Sequence, residues 1–177
     1  MRRARGRPLA KGRGGKREGA AAVEFAMVIL PFTFMIFALL ELGLIFVVDS
    51  VLGNATIESG RLIRTGQAAA ADMTPQEFRD QLCGRMSIFA TQCDDRVSID
   101  VRVIPAFGSP VPDPMSSGTS FDESQLDFNY GTFGSLVLVR VWYRQPLVTT
   151  FLGQGLSRLG DGNARLMSAT AFRNEPA

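Results

Sequence analysis

The sequence contains no histidine. That absence removes Ser-His-Asp triads, Cys-His nucleophile pairs and histidine-ligated zinc together. Cysteine is nearly as scarce, with only Cys83 and Cys93 present, and two thiols without a histidine make a poor zinc site. A phosphate-binding loop is missing as well. Gly12-Arg13-Gly14-Gly15-Lys16 has suitable residue types, but it lies in a basic leader with no strand before it. The adjacent acids Asp94-Asp95 and Asp122-Glu123 read as solvated turn residues. No catalytic residue, metal ligand or cofactor site emerges from the sequence, and the expectation is a protein that is not an enzyme.

Positive charge is unevenly placed. Ahead of Ala20 stand eight Lys or Arg side chains against Glu18 alone, a net +7, which leaves −5 for the rest of a chain whose total is +2. The basic leader has no aromatic side chain on which a base could stack, so nucleic acid is not an expected partner. Its glycines and proline argue for disorder. Beside an apolar segment, such a cluster holds the chain at the anionic cytoplasmic face of a membrane.

Directly after the leader comes the longest apolar run in the chain. From Ala20 to Val48 the only charged side chains are Glu24 and Glu41, and Phe25 to Leu40 is apolar apart from Thr33. A hydrocarbon core of roughly 30 Å takes about 20 residues of helix, which this stretch supplies. It reads as one transmembrane helix. The next basic side chains are Arg61 and Arg64, so the positive-inside bias puts the N-terminus in the cytoplasm and the bulk of the chain outside it. A removable secretory signal is disfavoured, because Glu41-Leu42-Gly43-Leu44-Ile45-Phe46 continues as membrane-compatible sequence where a cleavage site would stand. Pro31 is expected to bend the helix without ending it.

A carboxylate inside an apolar segment is costly unless it reaches the interface or meets a partner, which makes Glu24 a functional candidate. The bland alternative is a first-turn acid near the headgroups, favoured by the helix N-terminus. Glu41 lies 17 positions later in the sequence, about 25 Å along a helix axis. A solvated place at the opposite membrane face is its expected position.

Gly19-Ala20-Ala21-Ala22-Val23-Glu24-Phe25, after a basic leader and before an apolar helix, resembles the prepilin peptidase site of Flp and Tad type IV pilins. Ala22-Val23-Glu24-Phe25-Ala26, Leu30-Pro31 and Leu40-Glu41-Leu42-Gly43 look like the signature of TadE-like proteins, minor pseudopilins of the tight-adherence pilus. The closing Ala171-Phe172-Arg173-Asn174-Glu175-Pro176 is similar to tails in that family. Phe25 stands where major Flp pilins frequently have tyrosine.

The resemblance implies cleavage between Gly19 and Ala20, with Glu24 becoming the fifth residue of the mature chain. Glu24 would then neutralise the new N-terminal ammonium, whose burial in an apolar helical bundle is otherwise costly. Glycine at the cut leaves the backbone open to a protease. The implied partners are a prepilin peptidase, other pilins and pseudopilins, and Tad assembly proteins of the inner membrane. The implied place is the inner membrane, with the C-terminal part periplasmic or extracellular, or within the pilus. The alternative is an uncleaved single-pass anchor with a binding or assembly role.

Beyond the membrane, Leu44, Val48, Leu52, Ala55, Ser59 and Leu62 keep helical spacing, which predicts one long helix ending near Gly66. Thr74, Pro75 and Glu77 form a helix-start signature for a second helix reaching about Ala90. Cys83 and Cys93, outside the cytoplasm, are expected to pair as a disulfide contributing about 2 to 3 kcal/mol. Val97, Ile99, Val101 and Val103 alternate with polar residues as a strand. Leu136 to Tyr143 and Ala164 to Arg173 supply two more. Residues 105–132 read as a long surface loop, either functional or disordered. The expected fold is α+β: a leader at 1–19, a transmembrane helix at 20–48, and a pilin-like domain at 49–177 in which a short second helix and a small antiparallel sheet pack on the long helix.

Overall fold

From Phe25 to Leu40 neither glycine nor charge interrupts the apolar run, and only Pro31 opposes a helix. The helix passes through it. A computed structural model describes residues 15–118, 120–157 and 159–176, and α1 occupies Gly15–Arg64 with Pro31 in its interior. Gly66 ends this helical stretch by adopting a left-handed φ of 75°, and its N–H donates to the Ile63 carbonyl, a closure that glycine makes without a Cβ penalty. The short α2 (Gln67–Ala70) is next, then α3 (Pro75–Gly84), α4 (Ala90–Cys93), β1 (Val97–Val103), β2 (Leu136–Pro146), α5 (Thr150–Leu156) and β3 (Asn163–Arg173). The architecture is α+β.

Two compact units divide between Leu39 and Leu40. The first, among its described residues, is helix alone. The second holds the remainder of α1 and everything after it. Its sheet is antiparallel in the order β1-β2-β3. β2 lies at the centre, and Val137, Val139, Val141 and Tyr143 along one face of it are fully buried. They share a core with Val48, Leu52, Ala55 and Ile63 of α1, and with Phe78 and Leu82 of α3. The buried α1 residue at the far end is Ile63 rather than the expected Leu62, which is half-buried. Gly60 lets α1 approach β3 closely. A Cβ at that position would stand 3.1 Å from both Phe172 Cε1 and Thr170 Cγ2.

α3 starts as its sequence predicts. Thr74 Oγ1 accepts from the Glu77 N–H at 3.2 Å and the Glu77 carboxylate accepts from the Thr74 N–H at 2.8 Å, a reciprocal capping box with Pro75 in the first turn. Its end differs from the expectation. The helix stops at Gly84 instead of reaching Ala90, and a 3-10 turn at Ser87–Phe89 leads into α4. The reason is the disulfide between Cys83 and Cys93, whose Cα atoms are 5.5 Å apart. An uninterrupted helix would carry the chain away from Cys83 at about 1.5 Å per residue.

The segment between β1 and β2 is an ordered cover, apart from Thr119, which lies outside the described residues. It packs on the second face of the sheet, where alternation alone suggests solvent. Asp100 is fully buried there and sits opposite Arg140 in the β1-β2 register. Arg140 Nε donates to Asp100 Oδ2 at 2.9 Å, and Arg102 Nε donates to the same carboxylate at 2.9 Å. The loop completes the cluster with main-chain groups. The Asp127 N–H donates to Asp100 Oδ1 at 2.9 Å, while the Gln125 and Pro112 carbonyls accept from Arg102 and Arg140 at 2.7 and 2.8 Å. Hydrogen bonding to Asp100 raises the Arg102 pKa above its ordinary value, against the opposing effect of burial. Phe121 of the loop meets Trp142 edge-on at 5.7 Å, and Arg140 lies 4.9 Å over the Trp142 ring.

Removing Asp100 leaves two guanidinium groups without their shared carboxylate and cuts the loop's main tether. Asp100→Ala is expected to cost about 3 to 5 kcal/mol. Chemical denaturation of the full chain in detergent, followed by the emission of Trp142, measures it. A loss below about 1 kcal/mol, the scale of an exposed pair, would show that the cluster does not hold the loop.

Candidate functional site

The residues singled out at the N-terminal end all lie on α1. Gly19, Ala20 and Glu24 are exposed, and Phe25 is 67% exposed. A Cβ built at Gly19 would meet nothing within 4 Å among the described residues. The expected disorder of the leader fails over residues 15–19, which form the start of α1, while residues 1–14 lie outside the described residues. The Gly19-Ala20 bond is therefore inside a helix. Hydrogen bonding along the helix axis holds it past the first turn of α1.

Glu24 has no hydrogen-bond or ion-pair partner among the described residues. Around it the helix presents apolar side chains outward: Val23, Met27, Val28 and Leu30 are each more than half exposed. The most apolar 18-residue window of α1 has a mean hydropathy of 2.4, and none of it is buried. A core helix of a water-soluble domain would have that surface covered. A bare apolar helix of this length suggests membrane anchoring.

Glu41 has a different environment from the one its sequence position suggests. It is not a free, solvated acid. One carboxylate oxygen accepts from the Val148 N–H, and the other accepts from the Thr149 N–H at 2.8 Å. Those donors lead into α5, whose first N–H groups have no partner within the helix itself. Thr149, its N-cap, makes no side-chain capping bond. Glu41 satisfies the turn in its place, bonding residues 107 and 108 positions away.

Sequence reasoning missed this pairing because α5 itself was not visible. Thr150–Leu156 contains Gly153 and Gly155, and glycine in a short helix lowers its propensity by about 1 kcal/mol per residue. It also missed Asp100, which alternation placed on a polar outer face. The one available signal was an acid flanked by Arg102 and, on the next strand, Arg140.

Comparison with known proteins agrees with the motif. The family model described as TadE-like protein matches residues 19–61, so the segment running from the glycine before the motif into the head-forming part of α1 is similar to that of TadE-like proteins. This likeness suggests a role in assembly of a Tad pilus. No curated protein and no solved structure matches the chain.

Glu41→Ala removes the acceptor for both turn amides. Hydrogen bonds to a charged group contribute about 1.5 to 3 kcal/mol, so the Val148 and Thr149 amides should exchange with solvent at least about tenfold faster. Glu41→Gln should fall between, since its carbonyl oxygen remains an acceptor. Hydrogen exchange on the full chain in detergent measures this, and unchanged exchange at both amides would contradict the assignment.

Proposed function

We propose that the chain is a minor pseudopilin of a Tad pilus, cleaved by a prepilin peptidase between Gly19 and Ala20. Hydrolysis of that peptide bond consumes water and leaves a carboxylate on Gly19 and an ammonium on Ala20. The observation that carries the reading is Glu24: an exposed carboxylate, without a partner among the described residues, one helical turn after the proposed new terminus, at the start of a bare apolar helix within the family match. In a bundle of such helices, a terminal ammonium in apolar surroundings needs an acid nearby. Glu24 of a neighbouring helix supplies it. The leader belongs in the cytoplasm, α1 in the inner membrane before assembly, and the domain after it outside the cytoplasm.

A second reading has one specific observation in its favour. The Gly19-Ala20 bond lies within α1, and an uncleaved single-pass anchor would keep that helix intact. Such a protein would serve the assembly machinery from the membrane without entering a filament.

Gly19→Ala should block leader removal, seen as a heavier band in membrane fractions. Glu24→Ala should leave the protein in the membrane while reducing pilus output, counted on sheared filaments. Normal cleavage and normal pilus output in both variants would sink the pseudopilin mechanism and leave the anchor reading.

A further inference from the structure

The second compact unit has an apolar end that its own core does not use. Leu40 and Phe46 are 64% and 70% exposed, Val47 is 50% exposed, and Val148, in the turn before α5, is 90% exposed. Val148 is held at this end by its N–H bond to Glu41. The core begins only a little further along α1, at Val48. The opposite end is marked by Glu175, whose N–H donates to the Arg64 carbonyl, 23 residues or about 35 Å of helix from Glu41.

A span of about 20 residues counted from Ala21 ends at Leu40. Glu41 then falls at the boundary between acyl chains and headgroups, together with whatever is bonded to it. The turn has the chemistry that boundary requires. Its two amides are satisfied by Glu41, so neither has to be buried without a partner. The valine side chain is directed away from the protein. We infer that the turn Leu147–Thr149 is a second membrane contact, with Val148 seated in the headgroup-acyl boundary of the bilayer that α1 spans.

The occupant of this patch is lipid, because the patch follows the apolar surface of α1 along the same helix: Leu44, Phe46 and Val47 come within seven residues of Leu40, where the span ends. Glu41 then has two effects. It joins its own part of α1 to the β2-α5 turn, and it holds Val148 beside the end of the span. The inference rests on reading α1 as membrane-spanning and is independent of cleavage and of entry into a filament.

Single tryptophan substitutions in the full chain, reconstituted in phosphatidylcholine-phosphatidylglycerol vesicles, test it. The emission of the parent, which has only the buried Trp142, is subtracted. Val148→Trp should emit at shorter wavelength, lose intensity with lipids brominated near the headgroup, and resist acrylamide. Phe133→Trp, at a 71% exposed position just before β2, should respond to acrylamide alone. Phe32→Trp, within the span, should lose most intensity with lipids brominated near the chain ends. If Phe32→Trp responds to bromine and Val148→Trp responds only to acrylamide, the second contact is overturned and the span stands. If Phe32→Trp ignores bromine, the span reading fails and the inference falls with it.

Discussion

One helix has to be stable in two surroundings, and the rest of the structure depends on how it manages this. From Phe25 to Leu39 the side chains of α1 are apolar apart from Thr33, a composition that suits lipid, which offers no polar face to match. From Val48 onward only one stripe is apolar and buried: Val48, Leu52, Ala55 and Ile63 go inward, with Thr56, Ser59 and Gly60 between them. The small residues are what allow a sheet to lie close, most of all Gly60 against Phe172 and Thr170. Thr56 returns its hydroxyl to the Leu52 carbonyl at 2.7 Å, so that buried hydroxyl has its partner within the helix.

The sheet has a second constraint. Three strands with one face on a helix would leave the other face open, and a small domain has little core to lose. Here the long β1-β2 connection closes that face, and it is fixed by polar contacts rather than by apolar volume alone. Asp100 receives donors from two strands and from the loop backbone at once. A buried carboxylate of this kind adds little net stability compared with an apolar substitute, but removing it is expensive. It also selects a single loop arrangement, because few other placements satisfy both guanidinium groups.

Much of this was legible in the sequence where periodicity and local signals act. α1, the three strands and the Thr74 capping box are each specified by residues within a few positions of one another. The parts that were not legible depend on distant partners. Asp100 reads as solvent-facing because a period of two reports only the side of a strand, and what covers that side comes from loop residues up to 27 positions away. Glu41 reads as an isolated acid because its donors lie more than 100 residues on. α3 ends early because a disulfide overrides a sequence that would otherwise continue the helix. Gly19 and Glu24 are legible for another reason: they lie within the stretch that carries the family likeness.

The account gives Glu24 a charge to neutralise, and that charge exists only if the leader is removed. The most direct test is the intact mass and N-terminal sequence of the native protein taken from bacterial membranes. The account predicts a chain that begins at Ala20. A mature chain that retains Met1 or any part of the basic leader would contradict it.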